Sequence, residues 1–224
     1  MIVDERITAY INSLEAELPE TLALLEKEAL EKHVPIIKKE TQGVLKFLLR
    51  LQQPRQILEV GTAIGFSALF MSEYTNPECR ITTIEKVAMR LVEADKNLAD
   101  PSFPQRDKIT LLKGEALEVL QSLAGQKRRY DFIFLDAAKA QYMSFLPELM
   151  KLLSADGMLV TDNVLQDGTV TNSRYSITRR DRTIHARMRE YLYTITHMEE
   201  LSTVILPVGD GIALSQRIAG TPKV

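Results

Sequence analysis

The chain is poor in the residues that build disulfide frameworks and membrane spans. It has one cysteine, Cys79, and no tryptophan among 224 residues. A single cysteine cannot form an internal disulfide, which favours the reducing cytoplasm. No apolar run approaches the roughly 18 to 20 residues that cross a bilayer, and residues 1–20 lack the apolar core of a signal peptide. We therefore expect a soluble, cytoplasmic protein with no membrane partner.

The chain does contain strand-length apolar runs that alternate with helical patterns, as is typical of βαβ units. With 45% hydrophobic residues it can bury one sizeable core. We expect one domain over residues 1–224, made of a helical lid or dimer extension (1–52) and an α/β core (53–224). In the extension, residues 44–51 read as a helix, and apolar residues recur at helical spacing at Ile7, Ile11, Leu14, Leu18, Leu22, Leu25, Ala29 and Leu30.

Seven strands are predicted in the core, at 56–60, 80–85, 108–113, 130–136, 157–162, 202–207 and 211–217. The clearest helices between them are 141–153 and 178–198. Only Val208-Gly209-Asp210 joins the last two strands, a connection short enough for a hairpin, so one of these strands runs antiparallel. The predicted fold class is α/β, a Rossmann-like, mostly parallel sheet with an antiparallel last strand and helices on both faces.

A glycine turn follows the first predicted strand. Three residues separate Gly61 from Gly65 and no lysine follows, so the turn matches neither the dinucleotide pattern nor the phosphate loop. Backbone at Gly61 can lie against a flat or cationic ligand, and Gly65 and Ser67 can offer donors to a carboxylate. S-adenosylmethionine carries such a carboxylate. The turn therefore predicts a site for this cofactor, the alternative being a purely structural turn.

Residues at the next strand ends extend this predicted site. Glu85 ends the second strand, where a carboxylate can accept both hydroxyls of an unphosphorylated ribose. Glu115 and Ala116, just past the third strand, would flank the adenine by the same topology. The alternative for Glu85 is a solvated side chain.

Asp136, Asp162 and Asn163 follow two further strands, so they should meet at the same sheet edge. Oxygen ligands without a nearby cysteine or histidine pair suit Mg²⁺, Mn²⁺ or Ca²⁺, with magnesium as the default. The alternative is a helix cap and a turn. The scattered His33, His185 and His197 are expected to be surface or capping residues.

Five segments together resemble the cation-dependent O-methyltransferases, which include catechol and caffeoyl-CoA methyltransferases. They are 59–67, 83–85, 134–139 with Tyr142, 161–164 and 206–211, within a match over 34–217. The chain is most similar to the bacterial tRNA 5-hydroxyuridine methyltransferases of this family, which methylate a wobble uridine. Ala137 and Ala138 stand where catechol enzymes have bulky aromatic residues, which argues against a catechol clamp.

The resemblance implies a class I methyltransferase fold with a seven-stranded sheet. It also implies that Asp136, Asp162 and Asn163 ligate the metal. The implied contacts with S-adenosylmethionine are Ile37, Gly61, Ser67, Glu85, Glu115, Ala116 and Asp136. Ile37 rests on the resemblance of segment 34–37 alone.

Lys139 and Asp136 are the expected catalytic residues. A hydroxyl held at the cation would attack the sulfonium methyl once the reacting atoms are about 3 to 3.5 Å apart. Lys139, one helical turn beyond Asp136, is the expected general base, the alternative being a surface lysine at a helix start. Tyr142 is expected to be a core aromatic residue.

A basic stretch follows the strand that ends at Asp162. Six arginines against Asp181 give it a net charge of +5, which leaves −7 for the rest of a chain of net −2; they are Arg174, Arg179, Arg180, Arg182, Arg187 and Arg189. Guanidinium groups at the catalytic edge can hold phosphates, so Arg174, Arg179, Arg180 and Arg182 are candidate RNA contacts. A wobble base in an anticodon loop is unstacked and can enter a pocket. The alternative is a solvated helix with dimer salt bridges.

Three functions remain open on this evidence. The first is methylation of tRNA 5-hydroxyuridine, with RNA rather than DNA as the partner and a homodimer as the expected assembly. The second is methylation of catechol-like or caffeoyl-CoA-like phenols. The third is a catalytically silent module that binds S-adenosylmethionine or RNA, against which the retained metal set argues.

Overall fold

Seven strands and eight α-helices make up the fold of the computed structural model, which describes residues 2–179 and 181–218. The strands are β1 (Gln56–Val60), β2 (Arg80–Glu85), β3 (Ile109–Lys113), β4 (Tyr130–Leu135), β5 (Leu153–Thr161), β6 (Leu201–Leu206) and β7 (Ile212–Arg217). The helices are α1 (Glu5–Leu14), α2 (Glu20–Glu31), α3 (Lys39–Gln52), α4 (Phe66–Glu73), α5 (Ala88–Ala99), α6 (Ala116–Gly125), α7 (Tyr142–Leu152) and α8 (Arg182–His197). Among the described residues, no helix is both long and apolar enough to cross a membrane.

The strands form one sheet in the order β3-β2-β1-β4-β5-β7-β6. The β3-β2-β1-β4-β5 neighbours pair in parallel, while β7 runs antiparallel to both β5 and β6. This confirms the predicted mixed sheet with a reversed last strand. Val60 pairs with Ile84 on one side and Leu135 on the other, so the residues that follow β1, β2 and β4 emerge together at one edge.

Helices cover both faces of the sheet, because β1 and β4 are buried on both sides. Tyr142 and Leu149 of α7 and Tyr191 of α8 pack on one face. On the other, α2, α3 and α4 pack around Ile57 and Phe132. The extension therefore divides in two: α2 and α3 belong to the core, whereas α1 buries none of its residues.

Element boundaries shift where a side chain bonds the backbone. The predicted strand 108–113 begins one residue later, because the buried Lys108 amine donates to the carbonyls of Ser72 and Thr75 (2.8 and 3.0 Å) from a 3-10 turn. The predicted helix 178–198 begins at Arg182, since Thr178 Oγ1 donates to the Asp181 carboxylate (2.6 Å) in a preceding turn. β5 begins four residues earlier than predicted.

Candidate active site

The glycine turn joins β1 to α4 against the end of β4. Gly61 has φ 110°, and a Cβ there would stand 1.9 Å from the Asp136 carbonyl oxygen. Gly65, at φ 88°, caps α4 without any side-chain bond, and Ser67 lies in the first helical turn. The N–H groups that open α4 therefore have no side-chain acceptor, which suits a carboxylate ligand.

Glu85 holds the turn from the neighbouring strand. Its carboxylate accepts hydrogen bonds from the backbone N–H groups of Ala63, Lys86 and Val87 (2.8 to 2.9 Å). A carboxylate has about four acceptor sites, so one site remains for a ribose hydroxyl. The sequence predicted that Glu85 could accept both hydroxyls. Glu115 lies nearby, exposed and paired with Lys86 (3.1 Å), and Ala116 opens α6.

The segment before α3 also reaches this edge. Ile37 is buried, and the next residue, Lys38, donates to Asp210 (2.6 Å) in the loop between β6 and β7. The same ammonium lies 3.8 Å from Asp167. This ion pair, which was not predicted, brings residues distant in sequence to the rim of the site.

Two aspartates stand side by side just past β4 and β5. The Asp136 N–H donates to the Val60 carbonyl and the Asp162 N–H to the Leu135 carbonyl (both 3.0 Å), so each continues the strand ladder by one residue. Burial raises the pKa of both carboxyls, and the Asp136 charge helps raise the pKa of Asp162 to about 7. The buried Asp162 and the partly buried Asp136 repel each other when both are charged, and the Lys139 charge only partly offsets this by lowering both pKa values.

The donor set fits a hard cation. One Asp162 carboxylate oxygen accepts a hydrogen bond from the backbone N–H of Asn163 (2.7 Å). Asn163, at φ 58°, donates from its side-chain amide to Asp210 (3.5 Å). The other Asp162 oxygen and the Asn163 amide oxygen thus remain available to a cation beside Asp136. No group of three or more His, Cys, Asp or Glu arranged for a metal occurs in the described residues, so the set depends on the amide.

A cavity of about 400 Å³ opens next to these groups. Lys139, on a 3-10 turn, Asn163 and Asp210 line it, as do Ser176, Ile177, Thr178, Asp181, Ile184 and the buried His185. Tyr142 is fully buried and donates to the Asp162 carbonyl (3.2 Å), which confirms a core role. A larger cavity, of about 610 Å³, lies among α1, α2 and α3 and contains none of the predicted site residues.

Three arginines of the basic stretch are tied to backbone carbonyls. Arg182 donates to Ile177 (3.2 Å), Arg187 to Ala140 (2.8 Å) and Arg189 to Val170 (3.3 Å). A guanidinium has five N–H donors, so each retains donors for a phosphate. Arg179 is exposed in the turn before α8. Arg180 and the side chain of Arg174 lie outside the described residues.

The O-methyltransferase family model matches residues 12–218. The chain belongs to the O-methyltransferase family.

Three proteins illustrate what this O-methyltransferase resembles in structure or in sequence. A Staphylococcus aureus structure, provisionally assigned as a caffeoyl-CoA O-methyltransferase, is 29% identical with a TM-score of 0.85, over 96% of this chain and 100% of that one. A Niastella koreensis catechol O-methyltransferase is 28% identical over 169 residues, 74% of this chain and 76% of that protein. A Bacillus cereus O-methyltransferase solved with SAH has a TM-score of 0.82 at 21% identity, over 95% of this chain and 97% of that one.

The O-methyltransferase brings most of its predicted site residues to one sheet edge, and three residues there were not predicted. Asp210 contacts Lys38 and Asn163, and Tyr175 is 91% exposed on the turn that leads to the cavity. His185 was expected at the surface or as a cap; it is 4% exposed, because α8 turns it inward with Met188 and Tyr191. The spacing of His185, Met188 and Tyr191, which places them near one face of a helix, was the sequence signal that could have indicated this burial.

Proposed function

We propose that this O-methyltransferase transfers the methyl group of S-adenosylmethionine to the 5-hydroxyl of 5-hydroxyuridine at the tRNA wobble position, which gives 5-methoxyuridine. The observation that carries the proposal is the cavity beside Lys139 and Asn163. Apart from two isoleucines, the residues that line it have polar side chains, and among the described residues they include no phenylalanine or tyrosine. A pocket for a phenol is expected to be mainly apolar and aromatic, whereas a uracil presents polar edges.

Support for the cofactor comes from the glycine turn and from a relative. The uncapped start of α4, with Ser67 in its first turn, suits the methionine carboxylate, and Glu85 retains an acceptor for the ribose. Ile37, Glu115 and Ala116 complete the proposed contacts. The Bacillus cereus relative was solved with SAH bound.

The proposed metal ligands are Asp136, Asp162 and Asn163. A divalent cation, Mg²⁺ by default, would neutralise the two adjacent carboxylates and lower the pKa of an acceptor hydroxyl that it binds. The chain itself holds these three side chains in place through the strand ladder and the Asn163 N–H.

The chain's own residues align the acceptor and move its proton. In its neutral form, the Lys139 amine would take the hydroxyl proton. The acceptor oxygen then forms a bond to the methyl carbon while the carbon–sulfur bond breaks. The electron pair of the broken bond stays on sulfur, and S-adenosylhomocysteine is the product that leaves. This displacement depends mainly on alignment, which the rigid ends of β1, β4 and β5 supply.

An RNA partner is supported by the surface around the cavity. Tyr175, 91% exposed, offers a ring on which a base can stack, and Arg179 offers a guanidinium to phosphate. Arg182, Arg187 and Arg189 contribute their remaining donors. We propose Arg174 and Arg180 as further contacts, from sequence alone.

A second candidate is methylation of a small phenol. The names of the Staphylococcus aureus and Niastella koreensis relatives favour it, since they refer to caffeoyl-CoA and catechol. Against it stand the absence of aromatic residues among the described residues that line the cavity and the small Ala137 and Ala138 beside Asp136.

Nucleoside mass spectrometry of tRNA from cells that lack this protein tests the proposal. We expect 5-methoxyuridine to disappear and 5-hydroxyuridine to accumulate. An unchanged profile, together with turnover of catechol or caffeoyl-CoA by the purified enzyme, would establish the second candidate instead.

A pair of charge reversals tests the RNA surface when the affinity of each purified variant for tRNA is measured. Arg179→Glu should weaken tRNA binding, whereas Arg128→Glu should not, because Arg128 precedes β4 at the opposite sheet edge. Equal effects of the two variants would argue against a localised RNA surface.

A further inference from the structure

The side-chain amide of Asn163 has two ends of almost the same shape and of opposite chemistry. One end is an oxygen that can ligate a hard cation, and the other is an N–H₂ group that cannot. Rotation of the amide about its last bond exchanges the two ends. The described residues hold no group of three His, Cys, Asp or Glu arranged for a metal, so the proposed metal set needs this oxygen and a group that fixes the orientation of the amide.

Asp210 meets the N–H₂ end of this amide. Asn163 Nδ2 donates to Asp210 Oδ2 (3.5 Å), while Asp210 Oδ1 accepts a hydrogen bond from the Lys38 ammonium (2.6 Å). A carboxylate beside an ammonium only accepts hydrogen bonds. It therefore favours the orientation that turns the N–H₂ towards Asp210 and opposes the flipped orientation, in which oxygen would face oxygen.

The backbone fixes Asp210 relative to Asn163. The Leu165 N–H donates to the Asp210 carbonyl and the Val164 N–H to the Gly211 carbonyl (both 2.9 Å). A Cβ at Gly211 would stand 2.4 Å from Leu165 Cγ, so the two segments are in direct contact. The Asp210 carboxylate thus belongs to a loop that is bonded to the segment after Asn163, and this gives it the set position that a group orienting a ligand requires.

The Lys38–Asp210 ion pair matters little as a stabilising contact. The Lys38 side chain is 45% exposed and that of Asp210 is 18% exposed. Ion pairs near the surface contribute little to folding stability, because solvent screens them. At 3.5 Å the Asn163 contact is also longer than an ordinary hydrogen bond of roughly 2.7 to 3.2 Å. The effect of Asp210 on the amide therefore comes from the sign of its charge rather than from the strength of a bond.

We propose that Asp210 is a positioning residue for the metal site. Its carboxylate, held by Lys38, keeps the Asn163 amide oxygen available to the divalent cation that Asp136 and Asp162 would share. This inference rests on the proposed function, in which these two aspartates and Asn163 ligate the ion. Groups that orient metal ligands from outside the ligand set typically change metal affinity by about 10- to 100-fold.

Two substitutions of Asp210 separate orientation from charge. Asp210→Ala removes the acceptor and leaves the amide free to take either orientation. Asp210→Asn removes the same charge and keeps the shape, but Lys38 attracts the oxygen of the new amide, so its N–H₂ end turns to Asn163. That end pairs with the Asn163 oxygen and holds the amide in the wrong orientation.

Asp167→Asn is the control for charge. Asp167 lies 3.8 Å from the same Lys38 ammonium and, among the described residues, makes no hydrogen bond to Asn163. For each purified variant the Kd of Mn²⁺ is measured by electron paramagnetic resonance of the free ion, with Mg²⁺ as a competitor. The melting temperature in EDTA checks the fold.

We expect Asp210→Asn to weaken Mn²⁺ binding about 10- to 100-fold, Asp210→Ala to weaken it less, and Asp167→Asn to weaken it least. All three variants should melt close to the wild type in EDTA. If Asp210→Asn loses no more affinity than Asp210→Ala, the inference is overturned, because removal of a charge alone predicts equal losses.

Asn163→Asp tests the orientation directly. A carboxylate has an oxygen at both ends, so its orientation no longer matters. In this background Asp210→Asn should cost no more affinity than Asp167→Asn does, which a double-mutant cycle measures. An undiminished loss would contradict the inference. If Asp210→Asn does not fold, Asp210→Ala compared in the two backgrounds decides in the same way.

The failure of the proposed function has a separate signature. If the wild type binds neither Mn²⁺ nor Mg²⁺, the proposed metal set is wrong and the role of Asp210 falls with it. If the wild type binds the ion and all variants bind it equally, only the inference falls. If the wild type binds the ion but methylates catechol instead of tRNA, the proposed substrate is wrong, and the order of the variants still decides the role of Asp210.

Discussion

At the scale of single residues, Gly61 shows how tightly the site is built. Its φ of 110° and the 1.9 Å approach of a Cβ to the Asp136 carbonyl leave no room for a side chain. We expect Gly61→Ala to lower the free energy of unfolding by at least about 2 kcal/mol and to abolish cofactor binding. Urea denaturation and calorimetric titration with S-adenosylmethionine measure both effects.

Gly125 provides the control for that substitution. It ends α6 without a positive φ, and a Cβ there would meet nothing within 4 Å. Gly125→Ala should therefore be neutral or stabilise the protein by about 0.4 to 1 kcal/mol. If both alanine variants were equally stable, the steric argument at Gly61 would be wrong.

Glu59 makes stability depend on pH. Burial raises its pKa to about 7 from a model-compound value of 4.5. Below about pH 4.5 Glu59 is protonated in both the folded and the unfolded chain, and its pH-dependent contribution to the free energy of unfolding is fully present. As the pH rises towards 7 the unfolded chain releases the proton first, so the contribution is lost, by on the order of 3 kcal/mol in total.

Urea unfolding of the wild type and of Glu59→Gln from pH 5 to 8 measures this effect. The stability of the wild type relative to the variant should fall as the pH rises to about 7 and then level off. A difference that stays constant across this range would show that Glu59 does not retain its proton in the folded state.

Individual site residues were predictable where strand order alone places them. Asp136 and Asp162 directly follow apolar strands, so their proximity follows from parallel pairing. The role of Glu85 was less accessible, because its three bonds to backbone N–H groups depend on the path of the turn. His185 lay within a strongly charged stretch, and only the packing of α8 shows which side of the helix is buried.

At the scale of elements, α1 stands apart from the other helices. None of its residues is buried. The side-chain amide of Asn12 donates a hydrogen bond to the Glu40 carboxylate of α3 (3.2 Å). Its apolar residues Ile7, Tyr10, Ile11 and Leu14 are 48% to 68% exposed. The subunit contact that the sequence predicts would cover them, and it stays a prediction.

Deletion of residues 2–14 tests the role of α1. We expect the free energy of unfolding of the remaining chain to lie within about 1 kcal/mol of that of the intact protein, because exposed contacts contribute little. Sedimentation should change from dimer to monomer. Serine at the exposed Met89 and Val92 of α5 is the control, and a truncated chain that remains dimeric would place the subunit contact elsewhere.

At the scale of the whole molecule, the proposed cation joins the ends of β4 and β5 at the centre of the sheet. We expect EDTA to abolish methyl transfer and Mg²⁺ to restore it. At 100 times its Kd the ion should stabilise the fold by about 2.7 kcal/mol, which a thermal melt detects. Asp162→Ala should lose this response and Asp107→Ala, on the surface, should keep it. Full activity after chelation would exclude a catalytic metal.

The sequence by itself determined the class of fold and the edge at which the chemistry lies. Alternating apolar runs specify βαβ units, and a short connection forces one reversed strand, so both are local properties of the chain. Only the tertiary structure decided what depends on packing between distant segments. The Lys38–Asp210 bond, the inward turn of His185 and the shape of the cavity arise where α3, α8 and the β6–β7 loop meet, and no local pattern encodes such a meeting.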